Sequence, residues 1–246
     1  MSLLIESISS AAIDGSSETN LIITKPTGLA VGDLMIAILG GSNDWSINVA
    51  SGWTGLTQGQ SIEGNQLTAR VQWKIADSGD VAASNFTFTI TTGTGFTGSI
   101  FRISGHDPIT PINAENCTHT NTDGTTPSIA CGITPTVASC LIIAVVWSAE
   151  NNTVTNSGYA IAISSPTFTE HVDLTGTLNG TGRRVTICIA SGIRPETTAT
   201  GNLSVVHSLS ESRHVGALIA VAPSSASAVF FPPKRFKQAI NRASTY

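Results

Sequence analysis

Short apolar runs separated by Gly, Asn, Asp and Pro recur along the chain, and in several of them apolar and polar positions alternate. Phe86, Phe88 and Ile90 alternate with Thr87 and Thr89, which turns one face of an extended segment to a core and a hydroxyl face outward. Segments 21–24, 34–39, 67–75, 86–90 and 99–103 are short, rich in β-branched or aromatic residues, and bounded by turn formers. Strands at this spacing predict an all-β chain built as an antiparallel β-sandwich, jelly-roll or Ig-like. A helical period is missing except for one possible turn within 77–84.

The pattern also repeats. Segment 34–39 matches 141–146 at an offset of 107, 70–76 matches 184–190 at 114, and 98–103 matches 216–221 at 118. The order is kept while the offset grows, as expected for an internal duplication of a sandwich-sized unit with loop insertions. The expected division is a first β-sandwich unit at 1–110, a second at 111–222 and an extended C-terminal docking arm at 223–246. Pro108 and Pro111 stiffen the join.

Composition sharpens this reading. Of 246 residues 41% are hydrophobic and only 11% charged, too apolar for disorder and too poor in charge for a chain of amphipathic helices. The formal charge is -4, but Lys234, Arg235, Lys237 and Arg242 all follow Pro223, where no acid occurs. Residues 1–222 thus hold eight basic against sixteen acidic side chains, a balance of -8. An acidic body of this kind offers no broad basic face to phosphates, so no nucleic-acid partner is expected. Nor is a membrane expected, because the longest apolar runs, 141–147 and 215–222, are far short of a span and the first residues lack a signal-peptide pattern. Cys117, Cys131, Cys140 and Cys188 show no CxxC spacing and are expected to act as small buried hydrophobes.

Candidate chemistry is sparse. Residues 93–98 spell GxGxxG, but no helix follows, so the segment is expected to be a hairpin loop and not a dinucleotide site. Among His106, His119, His171, His207 and His214, only His207 and His214 could meet across a loop and His171 could lie near Asp173; solvated loops are the expected setting. The acids lie mainly in turns. Asp77 and Asp80 could bind calcium or simply form a turn. Trp73 and Trp147 read as core, while Trp45 and Trp53 flank a polar loop where they could stack on sugars. No catalytic, metal or cofactor site is expected.

The stretch Lys25-Pro26-Thr27-Gly28-Leu29-Ala30-Val31-Gly32-Asp33-Leu34, followed by Ser51-Gly52-Trp53, Trp73-Lys74-Ile75-Ala76 and Arg102-Ile103-Ser104-Gly105, resembles β-sandwich structural proteins of tailed bacteriophages, of head decoration, fibre or tail accessory type. The resemblance implies a virion structural protein, assembled in the host cytoplasm, with other virion proteins such as the major capsid or a tail protein as partners and a homo-oligomer as its form. A capsid decoration or cement subunit is the expected role. Phe230, Phe231, Pro232, Pro233, Lys234, Arg235, Phe236, Lys237, Arg242 and Tyr246 are its expected docking residues, the phenylalanines as apolar anchors and the cations against acidic groups. The alternative is a tail or fibre adhesion module, or a lectin-like domain, using Trp45 and Trp53.

Overall fold

The computed structural model describes residues 3–13, 19–42, 46–63, 67–91, 95–120, 125–150, 159–176, 184–208 and 212–225. Trp45 and the whole of the expected docking set, Phe230 to Tyr246, lie outside them. The first half contains β1 (Leu4–Ile13), β2 (Asn20–Thr24), β3 (Leu34–Ser42), β4 (Thr54–Glu63), β5 (Leu67–Ile75), α1 (Ser78–Ala82), β6 (Asn85–Thr89) and β7 (Phe96–Ser104). The second contains β8 (Ile112–Thr120), β9 (Ser128–Ile129), β10 (Cys140–Glu150), β11 (Ala160–Ala162), β12 (Thr169–Thr175), β13 (Arg184–Arg194), β14 (Leu203–Val206) and β15 (Ser212–Val221). No helix among the described residues is long and apolar enough to cross a membrane.

Pairing is antiparallel and nested. β1 pairs with β7, β2 with β6 and β3 with β5; in the second half β8 pairs with β15, β9 with β14 and β10 with β13. Folding such nested pairs over one another gives the jelly-roll version of a sandwich. Each half therefore has a five-stranded sheet, ordered β1-β7-β3-β5-β4 or β12-β13-β10-β15-β8, and a small one, β2-β6 or β11-β14-β9. Read from opposite ends, the two large sheets have the same strand order.

The large sheets face one another. Leu34, Ile36 and Ile38 of β3 share a central core with Ile143, Val145 and Trp147 of β10. The opposite faces of the same strands are buried too. Met35, Ala37 and Leu39 pack beneath Leu21, Ile23, Phe86 and Phe88 of the first small sheet, and Ile142, Ala144 and Val146 beneath Ile129, Leu203 and Val205 of the second. The body is thus four layers deep. Burial on both faces explains why β3 and β10 read as unbroken apolar runs and not as alternation.

The ladders align the strands of the two halves at another spacing than the sequence matches do. Leu39 of β3 lies opposite Arg70, whereas Val146 of β10 lies opposite Cys188, which makes the offset for this strand 118 and not 114. A slip of four preserves which face each side chain occupies, so the shifted alignment still sets apolar against apolar. The same offset of 118 relates β7 to β15. Bulges agree with this register: Glu6 is the extra residue in β1 and Asn113, 107 positions later as β10 is after β3, is the extra residue in β8. The GxGxxG segment departs from the expected hairpin loop. Its described portion opens β7, and β6 and β7 belong to different sheets, so the connection crosses between layers and is not a hairpin.

Candidate docking site at one end of the body

Two of the stretches that carry the sequence resemblance, 25–34 and 102–105, meet in space for structural reasons. Gly28 and Gly32 have φ values of 72° and 91°, the left-handed region that glycine enters without steric penalty. Between them the turn is closed by Asp33, whose Oδ2 accepts from the Ala30 backbone N–H at 2.8 Å and from Arg102 Nε at 2.6 Å. Arg102 Nη1 also donates to the Thr27 carbonyl. A turn before β3 is thereby fastened to the end of β7.

The end of the body reached by the start of β3 and the end of β7 is also where the last described residues leave. Asp107 N–H donates to Ala222 O, Ala222 N–H to Pro111 O and Ser224 N–H to Gly105 O at 2.7 Å, so the join between the halves and the close of β15 are stitched together. His106 is buried in this seam, its ring nitrogens 2.9 and 3.0 Å from the carbonyl oxygens of Asp107 and Gly32. Asp107 is partly exposed, and the Thr110 and Ile109 backbone N–H groups hold its carboxyl below the usual carboxylate range. A shallow groove of about 380 Å³ runs past Val31, His106, Pro108 and Ser224.

A second groove of about 380 Å³ opens where β1 passes β12. Its walls include Leu4, Leu141, Ile193 and Thr167, and His171 and Ser191 form its polar part. Residues of both halves line it, and the second-half wall follows from the ladder. The ladder positions held by Trp73 and Lys74 in β5 are held by Ser191 and Gly192 in β13. Trp73 packs against the central core, whereas Ser191 lines the groove. At Gly192 a Cβ would stand 2.6 Å from the Thr167 carbonyl oxygen and 2.8 Å from Pro166, so only glycine admits the loop that forms the wall. Arg194, almost fully buried, donates to carbonyl groups of Ser165, Thr198 and Ala199 and ties that loop to the next. His171 is the extra residue of a bulge in β12, which aims its ring at Ser191 Oγ, 2.7 Å away. Burial lowers the His171 pKa, and burial together with Glu170 raises that of Asp173 on the same edge strand. Asp173 is not hydrogen-bonded to His171 among the described residues; the His171 ring meets Ser191 instead.

Exposed apolar side chains concentrate at this end. Leu4, Val31, Ile109, Val137 and Ile193 are five of the eight exposed large hydrophobics among the described residues, and all flank strand ends here; Ile109 is 85% exposed.

Trp53 is half-buried, its ring meeting Phe86 and Phe88 edge to face at 5.8 and 5.4 Å. Lys74 Nζ lies 3.0 Å from Asp77 and 2.8 Å from Asp80, so a chain cation occupies the place proposed for calcium while both acids cap α1. The backbone N–H of Asp80 and the Lys74 ammonium hold the Asp77 carboxyl below its ordinary range. No group of three or more metal-ligating side chains occurs among the described residues. All four cysteines are free and buried, and burial pushes the thiols of Cys117 and Cys131 up to about 12.

His207 and His214 do meet. Their Nε2 atoms are 2.7 Å apart in a buried site where Tyr159 lies over His207 and its hydroxyl bonds Ser148. Burial, then the neighbouring His207, lowers the His214 pKa to about 3. Together with buried His106, this corrects the solvated setting expected for His106, His207 and His214, whereas His119 and His171 keep exposed positions.

Comparison with family models, with curated proteins and with solved structures returned no match.

Proposed function

We propose that this protein is a structural subunit of a virion, most simply a capsid decoration or cement protein, that meets its neighbours through the end from which residues 226–246 depart. The observation that carries the reading is the clustering of Leu4, Val31, Ile109, Val137 and Ile193 around the seam that anchors Ser224. Scattered single apolar residues are ordinary on a protein surface, whereas a group of them at one end marks a contact site. The basic, aromatic segment that follows this seam supplies chemistry for docking: Phe230, Phe231 and Phe236 to fill apolar pockets, Lys234, Arg235, Lys237 and Arg242 to face acids. Repetition on a shell would multiply a modest single-site affinity wherever subunits also join one another.

The test is co-sedimentation with assembled particles. Full-length protein should associate, and the 1–225 form or an Ile109→Asp variant should associate at least tenfold more weakly with its circular dichroism unchanged. Undiminished association of both would overturn the reading. Sugar binding on a glycan array that survives the truncation and vanishes with Trp53→Ala would replace it with the adhesion role.

A further inference from the structure

We propose that the groove between β1 and β12 is the seat of Phe230 and Phe231 of the same chain when the subunit is free. The inference rests on reading residues 226–246 as a docking arm, and adds where the apolar part of that arm lies before it meets a partner.

Proximity is the first argument. Ser224 N–H bonds Gly105 O, Gly105 follows Ser104, and Ser104 is the ladder partner of Leu4, which lines the groove. Leu141, on the opposite wall, is the ladder partner of Val221, three residues before Ser224. These steps put the groove roughly 15 Å from the departure point, and the five residue-to-residue steps from Ser225 to Phe230 span roughly 17 Å when extended. A segment held this close meets its site at high effective concentration without a second molecule.

Chemical fit is the second. The groove presents Leu4 at 54% exposure and Ile193 at 45%, beside the buried aliphatic Leu141, while Thr167 and His171 offer polar edges. Phe230 and Phe231 are followed by Pro232 and Pro233, a residue type that favours an extended backbone, and supply apolar side chains for a narrow channel with polar rims. Charge is the third argument. Glu170 and Asp173 lie on the edge strand β12 beside the groove, and neither pairs with a cation among the described residues. Lys234, Arg235 and Lys237 follow the two prolines and would come alongside them.

The experiment uses the full chain with Ile193→Cys and Val229→Cys, which keeps both phenylalanines, oxidised at low concentration while the four native thiols stay buried. The control pairs Val229→Cys with Val206→Cys at the other end of the body. The expected result is a disulfide within one chain that forms at least tenfold faster than the control's and slows at least fivefold when Leu4→Asp is added. Equal rates in the two pairs overturn the proposal, and so does a predominance of disulfides between isotopically mixed chains, which would assign the seat to a second copy. Particle association of the uncrosslinked protein is read separately. Its loss would leave the seat standing and remove the docking role, while fast crosslinking with intact association supports both.

Discussion

Trp147 packs directly onto Gly40. A Cβ built at Gly40 would stand 2.5 Å from Trp147 Cδ1, and Trp147 is fully buried. The two residues lie 107 positions apart, the offset that relates β3 to β10, so they are equivalent positions of the two halves touching across the central core. A two-fold-like relation brings equivalents together only at its axis. Two tryptophans there would collide and two glycines would leave a void; one of each fills the space.

Trp147→Ala should therefore cost about 3–5 kcal/mol, the range for emptying a large buried aromatic site. Gly40→Leu alone should destabilise by overpacking, and adding Trp147→Ala to it should recover some of the loss. Urea denaturation of the three variants measures this; strictly additive costs would show that the two positions do not share one volume.

Two glycines should respond to alanine by different routes. Gly192→Ala drives a Cβ against the backbone oxygen of Thr167 and should cost about 1–3 kcal/mol while displacing the wall of the β1–β12 groove. Gly32→Ala meets nothing within 4 Å, so its cost, about 1 kcal/mol, comes from the positive φ alone. Thermal melts give the costs, and amide shifts of residues 165–169 should move only in the first variant.

His214 should make the protein acid-sensitive. Its folded pKa of about 3 lies below the ordinary 6.5, so between those values the unfolded chain binds the extra proton. The contribution is intact above pH 6.5 and is lost as pH falls toward 3, at up to about 1.4 kcal/mol per pH unit. Stability from urea titrations at pH 7, 6, 5 and 4 should fall less steeply in His214→Gln than in the parent. Parallel curves would refute the assignment.

The thiols should be silent in the native state. With Cys117 and Cys131 titrating near 12 and Cys188 and Cys140 raised by burial, an aromatic disulfide reagent at pH 8 should modify none of them quickly. In denaturant all four should react. Rapid native modification of even one would place it in an open site.

The strands whose faces are both buried are the easiest to read, because the runs at 34–39 and 141–147 have no other fate in a chain so poor in helix formers. β1 is hidden in the sequence: Glu6, Ser7, Ser9 and Ser10 break its apolar pattern, and as an edge strand it needs only one covered face. The Asp33–Arg102 pair spans 69 positions and the His171–Ser191 bond turns on a bulge, neither of which leaves a local trace. The His207–His214 meeting is legible because one short loop separates the two residues. The groove is not, since it depends on Ser191 standing where the other half has Trp73, and that equivalence is visible only through the ladder.

The face that β3, β5 and β7 turn toward the other half, with Ile36, Val71 and Phe101 fully buried on it, has a consequence for dissection. Dilution cannot separate units carried on one polypeptide, so their association does not depend on how much protein is present. Cut at the join, either piece would carry a bare oily surface and would have to recruit a twin; two copies of the first would then face each other through paired glycines at position 40, and two of the second through paired tryptophans at 147.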